Sequence, residues 1–338
     1  MPDAIPGEVL VMGAGTIGCF IGGSLAAAGV PVTFVGRPRV LEKLATHGLT
    51  LSDMDGGRHK LPAAGLRLCE QVPVGARPAL VLLCVKSGAT AEAAGELAFA
   101  LPAGTTVVSL QNGISNGDAA SQAGPSLNVL SGMVPYNVAE IGAGAFHRGT
   151  PGRLAAQDDV ALRPWLPVFE RAGVPLDLHA DLLPVQWGKL MLNLNNPVNA
   201  LSGLPLREEL MLRGYRRCFA SLIDEALSIL NVAGIAPAQV AAVPARRLSS
   251  LLRLPDWVFR IVAARMLRID AKARSSMADD LALGRRTEID ALSGEVVRLA
   301  QEHGLSAPRN ARMVGLLGAW PQQPRRWTAR ELQDALGL

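Results

Sequence analysis

The chain is predicted to fold as two domains, a doubly wound α/β domain over residues 1–184 and an all-α domain over residues 185–320, followed by a C-terminal extension over 321–338. Three observations predict this. A length of 338 residues exceeds one ordinary domain and suits two. Through the first half, short apolar runs alternate with helical patterns, the signature of strands crossing over through helices into one sheet. From Gln186 onward the chain reads almost entirely as helices punctuated by Pro and Gly, which puts the boundary near 180–187, before Trp187.

The elements follow in order. Glu8 to Met12 is an apolar run ending at Gly13 and reads as a buried strand. Thr16 to Ala28 reads as a helix with Gly29 at its C-terminal cap, and Val32 to Val35 as a second, β-branched strand. Arg37 to His47 reads as a helix closed by Gly48. Ala79 to Val85 is wholly apolar, as expected of a parallel strand covered on both faces. Ala89 to Leu101 follows as a helix and Thr105 to Leu110 as a strand. In the second domain the helical stretches are Arg216–Val232, Asp256–Asp270, Ala271–Leu283 and Thr287–His303. Residues 321–338 open on Pro-Gln-Gln-Pro and end in a short amphipathic stretch to which no role is assigned.

Composition narrows the function classes. Hydrophobic residues make up 49% and charged residues 18%, so the chain can bury a large core and is not of the disordered class. The net charge of +4 is mild and the basic residues are scattered, beyond pairs such as Arg216-Arg217 and Arg285-Arg286. A nucleic-acid binder concentrates such charge in a stripe; a mild excess suits anionic small ligands. Cys19, Cys69, Cys84 and Cys218 have no metal-ligand spacing, which predicts reduced thiols, no metal site and a cytoplasmic location. Residues 9–30 carry no charged side chain and resemble a membrane span by hydropathy, but glycines at 13, 15, 18, 22 and 23 and the lack of flanking positive charge argue for a buried strand and helix.

Gly13-Ala14-Gly15-Thr16-Ile17-Gly18 is a GxGxxG motif between a strand and a helix, the context in which it binds a dinucleotide. The first glycine permits the tight turn, the second lets a pyrophosphate reach the backbone, and the third lets the helix pack on the strand. The helix N-terminus then offers free N–H groups and a positive dipole end to the phosphates. An NAD enzyme usually carries an acid at the end of the second strand; here that strand ends Val35-Gly36-Arg37-Pro38-Arg39, with no acid before Glu42. Arg37 is placed to bind a 2′-phosphate bidentately, with help from Arg39, so the expected cofactor is NADPH/NADP+. Lys86 and Asn112 follow strands of the same sheet, whose carboxyl ends face the ligand crevice. Lys86 reads as a cofactor or substrate contact or as an exposed strand-end lysine. Asn112 reads as a contact to the nicotinamide ribose or substrate, or as half of an Asn-Gly turn.

Reduction of a ketone needs a proton donor for the developing alkoxide, and a lysine can serve when burial or nearby cations lower its pKa. Lys189, Asn193 and Asn196 lie on one helical face at ~100° per residue, among Leu and Met, with Pro197 expected to kink or end the helix. Such a polar patch needs partners, either a ligand or an interhelical network. Ser276 is a candidate for holding a carboxylate, in Ser275-Ser276-Met277-Ala278-Asp279-Asp280. Glu288 is a candidate for holding a substrate hydroxyl or orienting the lysine; equally, Thr287 and Asp290 form a capping pair and Glu288 then only favours the helix dipole.

These motifs, in this order over about residues 8–315, resemble the ketopantoate reductase (2-dehydropantoate 2-reductase) family: Gly13–Gly18, Arg37, Val85-Lys86, Leu110-Gln111-Asn112-Gly113, Lys189 with its asparagines, Ser275-Ser276-Met277 with Asp280, and Thr287-Glu288-Ile289-Asp290. The resemblance implies a Rossmann-like dinucleotide-binding domain plus a helical domain like the C-terminal one of 6-phosphogluconate dehydrogenase. It implies reduction of ketopantoate to pantoate with NADPH, in pantothenate and coenzyme A synthesis. It further implies Lys189 as general acid, Glu288 holding a substrate hydroxyl and supporting the lysine, Asn193 and Asn196 binding substrate, and Ser276 contacting the substrate carboxylate. Lys86 and Asn112 match cofactor and active-site contacts, and Arg37 matches the 2′-phosphate contact. One departure stands out: better-known members have one more residue between the first asparagine and the Asn-Pro pair, so Asn195 and Asn196 both stand for the second role. Since a one-residue slip turns a helix face by ~100°, the pocket shape is in question too.

The expected partner is a small-molecule 2-keto acid, with a homodimer as candidate assembly and neither nucleic acid nor membrane as partner. The alternatives are a paralogue reducing a different 2-keto acid, a non-catalytic NADP(H)-binding regulator, which the retained Lys189, Ser276 and Glu288 disfavour, and an opine or glycerol-phosphate type dehydrogenase of the same fold, which the lysine–asparagine helix disfavours.

Overall fold

Short runs of consecutive apolar residues form the centre of the main sheet in the computed structural model, which describes residues 5–240, 243–264 and 273–338. The chain divides into two units, Met1–Leu182 and Leu183–Leu338. The first contains β1 (Val9–Met12), α1 (Thr16–Ala27), β2 (Val32–Val35), α2 (Pro38–His47), β3 (Leu49–Asp53), β4 (Arg58–Leu61), β5 (Arg67–Cys69), β6 (Leu80–Leu83), α3 (Thr90–Ala100) and β7 (Thr106–Ser109). It continues through α4 (Asn116–Ala123), β8 (Asn128–Met133), β9 (Val138–Gly142), β10 (Ala145–Arg148), β11 (Leu154–Gln157), α5 (Leu166–Arg171) and β12 (Leu176–His179).

The main sheet has eight strands in the order β12-β11-β8-β7-β6-β1-β2-β5. From β5 to β8 neighbours are parallel, and β11 then pairs antiparallel to β8. Successive side chains of β1 enter opposite cores: Val9 and Val11 pack with Phe34, Leu80 and Leu82 on one face, Leu10 and Met12 with Val81, Leu83 and Leu97 on the other. That double burial is why these strands read as unbroken apolar runs. A second sheet, β4-β3-β10-β9, was not anticipated; two of its strands are largely exposed. Its Arg148 is buried and pairs with Asp53 and Asp55, both at 3.3 Å, beneath Tyr136 and Phe20.

The second unit is helical among the described residues: α6 (Leu183–Asn193), α7 (Asn195–Ser202), α8 (Leu206–Met211), α9 (Arg213–Val232), α10 (Ala245–Leu252), α11 (Asp256–Val262), α12 (Ser276–Ala282), α13 (Ser293–Glu302), α14 (Pro308–Gly318) and α15 (Ala329–Ala335). Helix α9 is its axis. It buries Tyr215, Cys218, Phe219, Leu222, Ile223 and Ala226 along one stripe. Arg216, wholly buried on the same helix, donates to the carbonyls of Leu210, Leu252 and Leu254 and to Asp256 at 2.9 Å, under the ring of Phe259. Its charge thereby satisfies carbonyls that helix ends leave without partners. Residues 321–338, read from sequence as an extension, are part of this unit. Tyr215 donates its hydroxyl to the Trp327 carbonyl at 2.8 Å, the Trp327 N–H donates to Leu201, and a Thr328–Glu331 capping box starts α15, which packs on α9.

Three helix expectations change. The Asp256–Asp270 stretch is helical as α11 to Val262, and residues 265–270 lie outside the described residues, as do 271–272 of the Ala271–Leu283 stretch, whose helix begins at Ser276. The Thr287–His303 helix is instead a 3₁₀ turn, Ile289–Ala291, a break at Leu292 and then α13. Ile289, Ala291 and Leu292 are all buried, a spread wider than one helical stripe covers. The four cysteines are free thiols, and burial pushes that of Cys218 up to about 12. No helix among the described residues is long and apolar enough to cross a membrane.

Candidate active site

In the first unit the chain reverses direction across the sheet between β1 and β6, with β2 and β5 on one side and β7 and β8 on the other. Ligands bind such sheets at that switch point, outside the carboxyl ends of the strands. The glycine motif sits there. Gly13 has φ +109°, and a Cβ on it would lie 2.6 Å from the Val85 nitrogen, so the passing β6 segment requires glycine. A Cβ on Gly18 would strike the Gly13 carbonyl and lie 2.8 Å from Val11, so α1 packs on β1 only without a side chain there. Gly15 differs: its φ is ordinary, and a Cβ on it would meet no protein atom within 4 Å. Gly15 is also the N-cap of α1, with no side-chain cap, so the N–H groups from Thr16 and Ile17 onward are not taken by one. Space at Gly15 with free donors behind it fits a dinucleotide pyrophosphate.

Arg37 follows β2 as the N-cap of α2. Its side chain is exposed and without an ion pair among the described residues, and the same holds for Arg39. Lys86 lies beyond the end of β6 rather than within it. The strand stops at Leu83, because residues 84–85 bend past Gly13, and exposed Lys86 opens a 3₁₀ turn, Ser87–Ala89. Asn112 is half-buried beside Gly113 at φ +100°, so the turn reading holds geometrically alongside the contact reading. A buried network unanticipated from sequence anchors this loop: Asn116 Nδ2 donates to the Asn112 carbonyl at 2.6 Å, Ser87 Oγ to the same carbonyl at 3.1 Å, Thr90 Oγ1 to Asn116 Oδ1 at 2.8 Å and Gln111 Nε2 to Thr90 at 2.9 Å. The small polar residues at 87, 90 and 116 are the sequence signal for it, spread over a 3₁₀ turn and the first positions of α3 and α4.

In the second unit Lys189 and Asn193 lie one turn apart on α6. The helix breaks at Leu194, earlier than Pro197, because a proline has no N–H to give the Asn193 carbonyl four residues back. Pro197 instead takes the third position of α7, where no intrahelical partner is needed. Burial lowers the Lys189 ammonium to about 8, and the Glu288 carboxylate opposes that drop. Thr287 caps no helix. Glu288 sits at the entry to the 3₁₀ turn, where its carbonyl accepts from Ala291, and Asp290 pairs with exposed Arg286 at 3.3 Å. Thr287 and Asp290 therefore do not form a capping pair.

The two asparagines left open by the sequence separate. Asn195 is buried and donates Nδ2 to Glu209 Oε2 at 3.0 Å. The side chains of Asn193 and Asn196 are half-buried and have no partner among the described residues. Ser276 is exposed at the first position of α12, while Ser275 caps that helix, accepting from Ala278 at 3.2 Å. Glu209 and Asn199 were not singled out from sequence, and Ser275 was named only as part of its motif, without a role; the four-residue spacing of Asn195 and Asn199 is the one local sign of this network. Among the described residues no cluster of His, Cys, Asp and Glu is arranged to hold a metal ion.

A glycine turn at the switch point of a mostly parallel sheet, in one chain with a unit that is helical among the described residues, defines the class: a two-unit fold whose first unit is of the dinucleotide-binding type. The units match in order two family models, "Ketopantoate reductase PanE/ApbA" over residues 9–159 and "Ketopantoate reductase PanE/ApbA C terminal" over residues 181–320, and the chain belongs to the ketopantoate reductase family. It is 28% identical over 308 residues to the 2-dehydropantoate 2-reductase of Halobacterium salinarum, covering 89% of this chain and 94% of that one. The crystal structure of a PanE/ApbA family ketopantoate reductase from Ralstonia eutropha JMP134 superposes with a TM-score of 0.76 at 26% identity, over 98% of this chain and all 100% of the other. The ternary structure of D-mandelate dehydrogenase with NADH and anilino(oxo)acetate has a TM-score of 0.75 at 18% identity over 98% and 100% of the chains, a likeness of fold.

Proposed function

We propose that the chain reduces the keto group of 2-dehydropantoate to give pantoate, with NADPH as reductant, and so serves pantothenate and coenzyme A biosynthesis. The observation that carries this reading is Lys189, lowered by burial to about 8 with the Glu288 carboxylate acting on it, one helical turn from the Asn193 amide, which has no partner among the described residues. An ammonium in that range is still protonated at neutral pH and gives up its proton readily.

NADPH, when bound, supplies a hydride to the carbonyl carbon. Lys189 Nζ gives its proton to the carbonyl oxygen, which stays on the carbon as the hydroxyl of the product, and the resulting neutral amine is recharged from solvent. Asn193 and Asn196 donate to the keto acid, Ser276 holds its carboxylate, and Glu288 accepts from a substrate hydroxyl while keeping Lys189 charged. In the first unit Gly13, Ala14, Gly15, Thr16, Ile17 and Gly18 hold the pyrophosphate, Arg37 takes the 2′-phosphate, and Lys86 and Asn112 contact the cofactor. The exposed guanidinium of Arg37, without an ion pair among the described residues, supports NADPH over NADH.

A different small 2-keto acid on the same machinery is the second reading, favoured by the shortened spacing from Asn193 to the Asn196-Pro197 pair. The test is loss of NADPH absorbance on adding ketopantoate to the purified protein, with NADH and a panel of 2-keto acids in parallel. Fast, ketopantoate-selective oxidation of NADPH is expected. Oxidation with another member of the panel alone favours the second reading, and binding of NADPH without turnover of any 2-keto acid overturns both.

A further inference from the structure

The carboxyl of Glu209 on α8 is wholly buried in the second unit, and the proposed reaction does not use it. A buried carboxyl persists only where hydrogen bonds offset its desolvation. Here Oε2 accepts from Asn195 Nδ2 at 3.0 Å and from Asn199 Nδ2 at 3.4 Å, while Glu209 Oε1 and Asn195 Oδ1 have no partner among the described residues. Asn199 is engaged at both ends of its amide. Its Nδ2 also donates to the Leu204 carbonyl at 2.9 Å, and its Oδ1 accepts the backbone N–H of Ser275 at 2.9 Å. Ser275 in turn donates Oγ to the Asn196 carbonyl at 3.3 Å.

An amide has one acceptor end and one donor end. With Nδ2 of Asn199 turned to Glu209, Oδ1 is left facing Ser275, the residue before Ser276. With Nδ2 of Asn195 held by the same oxygen, Asn195 is turned into the core, and the side chain of its neighbour Asn196 is the one left without a partner among the described residues. One carboxyl oxygen thus ties α7 to the start of α12 at the two places where a keto acid is held. We propose that Glu209 is a positioning residue of the keto-acid pocket, acting through Asn195 and Asn199 to set Asn196 and Ser276 in register. This rests on the reading of Asn196 and Ser276 as substrate contacts. Glu209 touches neither substrate nor cofactor. Burial pushes its carboxyl up to about 8, so at neutral pH glutamine is close to it in charge as well as shape and keeps the acceptor.

The experiment measures KM for ketopantoate and kcat with NADPH in Glu209→Leu, Glu209→Gln, Ser276→Ala and the Glu209→Leu/Ser276→Ala double variant, with thermal melting and NADPH affinity as controls of folding. Loss of a buried acceptor shared by two amides is expected to raise KM about 10-fold in Glu209→Leu, with kcat within about threefold. Glu209→Gln should stay within about threefold of the parent, and the double variant should be little worse than Ser276→Ala alone, because residues acting through one contact are not additive. If Glu209→Leu folds and keeps its KM while Ser276→Ala raises it, the positioning role is wrong and the substrate reading stands. If Ser276→Ala leaves KM unchanged, the substrate contact falls and the positioning role falls with it. Additive effects in the double variant also overturn it. Should Glu209→Leu not fold, Asn199→Ala removes the acceptor on Ser275 and must show the same KM rise and the same non-additivity.

Discussion

Replacing Lys189 with methionine should damage activity and improve stability at once. Methionine fills the volume of the lysine stem and removes both the proton donor and the charge. Holding a lysine at about 8 rather than 10.5 means that keeping its ammonium charged costs the folded chain about 3 kcal/mol, at ~1.36 kcal/mol per tenfold. Methionine removes that cost but leaves Glu288 without its opposite charge, so a net gain of about 1–3 kcal/mol is expected at pH 7, a few degrees in Tm for a domain of this size. The sign with pH is fixed by linkage. Because the folded pKa lies below the unfolded one, the penalty is present in full below about 8, shrinks between about 8 and 10.5 and vanishes above. The advantage of Lys189→Met should therefore shrink between pH 7 and pH 10. In parallel kcat should fall ~10²–10⁴-fold, the usual worth of a general acid, and the parent's own kcat should decline above about pH 8 as the proton is lost. Calorimetric melting at the two pH values, with NADPH absorbance for turnover, checks all of it. A variant that melts below the parent at pH 7, gains stability equally at both pH values, or keeps its kcat would refute the reasoning.

Other substitutions separate ligand contacts from fold contacts. Arg37→Ala should weaken NADPH binding ~10–100-fold by titration calorimetry and leave NADH binding unchanged, as expected for loss of a charge-assisted phosphate contact. Gly15→Ala should melt like the parent, since its Cβ meets no protein atom within 4 Å, yet lose ~10-fold or more in dinucleotide affinity. Gly13→Ala, at φ +109° and 2.6 Å from Val85, should instead lose about 2 kcal/mol or more of stability. Asn196→Ala should raise KM for the keto acid without changing Tm, whereas Asn195→Ala strips a donor from buried Glu209 and should lower stability by about 1–3 kcal/mol.

The first unit was legible where burial is two-sided. Val32–Val35 was placed to the residue and β1, β6 and β7 to within two at each end, because strands covered on both faces must be apolar throughout. The second sheet left no such trace. Arg58–Leu61 is almost wholly polar and exposed, and Val138–Gly142 is exposed at four of five positions. Such edge strands are held by backbone pairing to β3 and β10, and backbone hydrogen bonds carry no side-chain signature. In the second unit the helical character was legible but the ends were not. Pro197 was seen, yet its effect falls four residues back, at the Asn193 carbonyl, so the helix ends before the proline rather than at it.

Helical periodicity identified polar residues on an apolar helix and hence a demand for partners; it could not say who supplies them. Lys189, Asn193, Asn195, Asn196 and Asn199 fall within eleven positions, and a wheel ranks them only by angle. What divides them is a residue on another helix. Glu209, 14 positions beyond Asn195, takes the Asn195 amide and shares that of Asn199. That contact depends on how α8 folds back on α7, a tertiary fact absent from any local window. Once it is made, the donor ends of the amides at 195 and 199 are taken up inside the fold, while the side chains at 193 and 196 have no partner among the described residues. Half-buried amides left over after internal pairing are open to a ligand or to water. The proposed choice of Asn196 over Asn195 as substrate contact, undecidable by counting residues along a helix, is thus supported by the hydrogen bond that holds the Asn195 amide on a carboxyl.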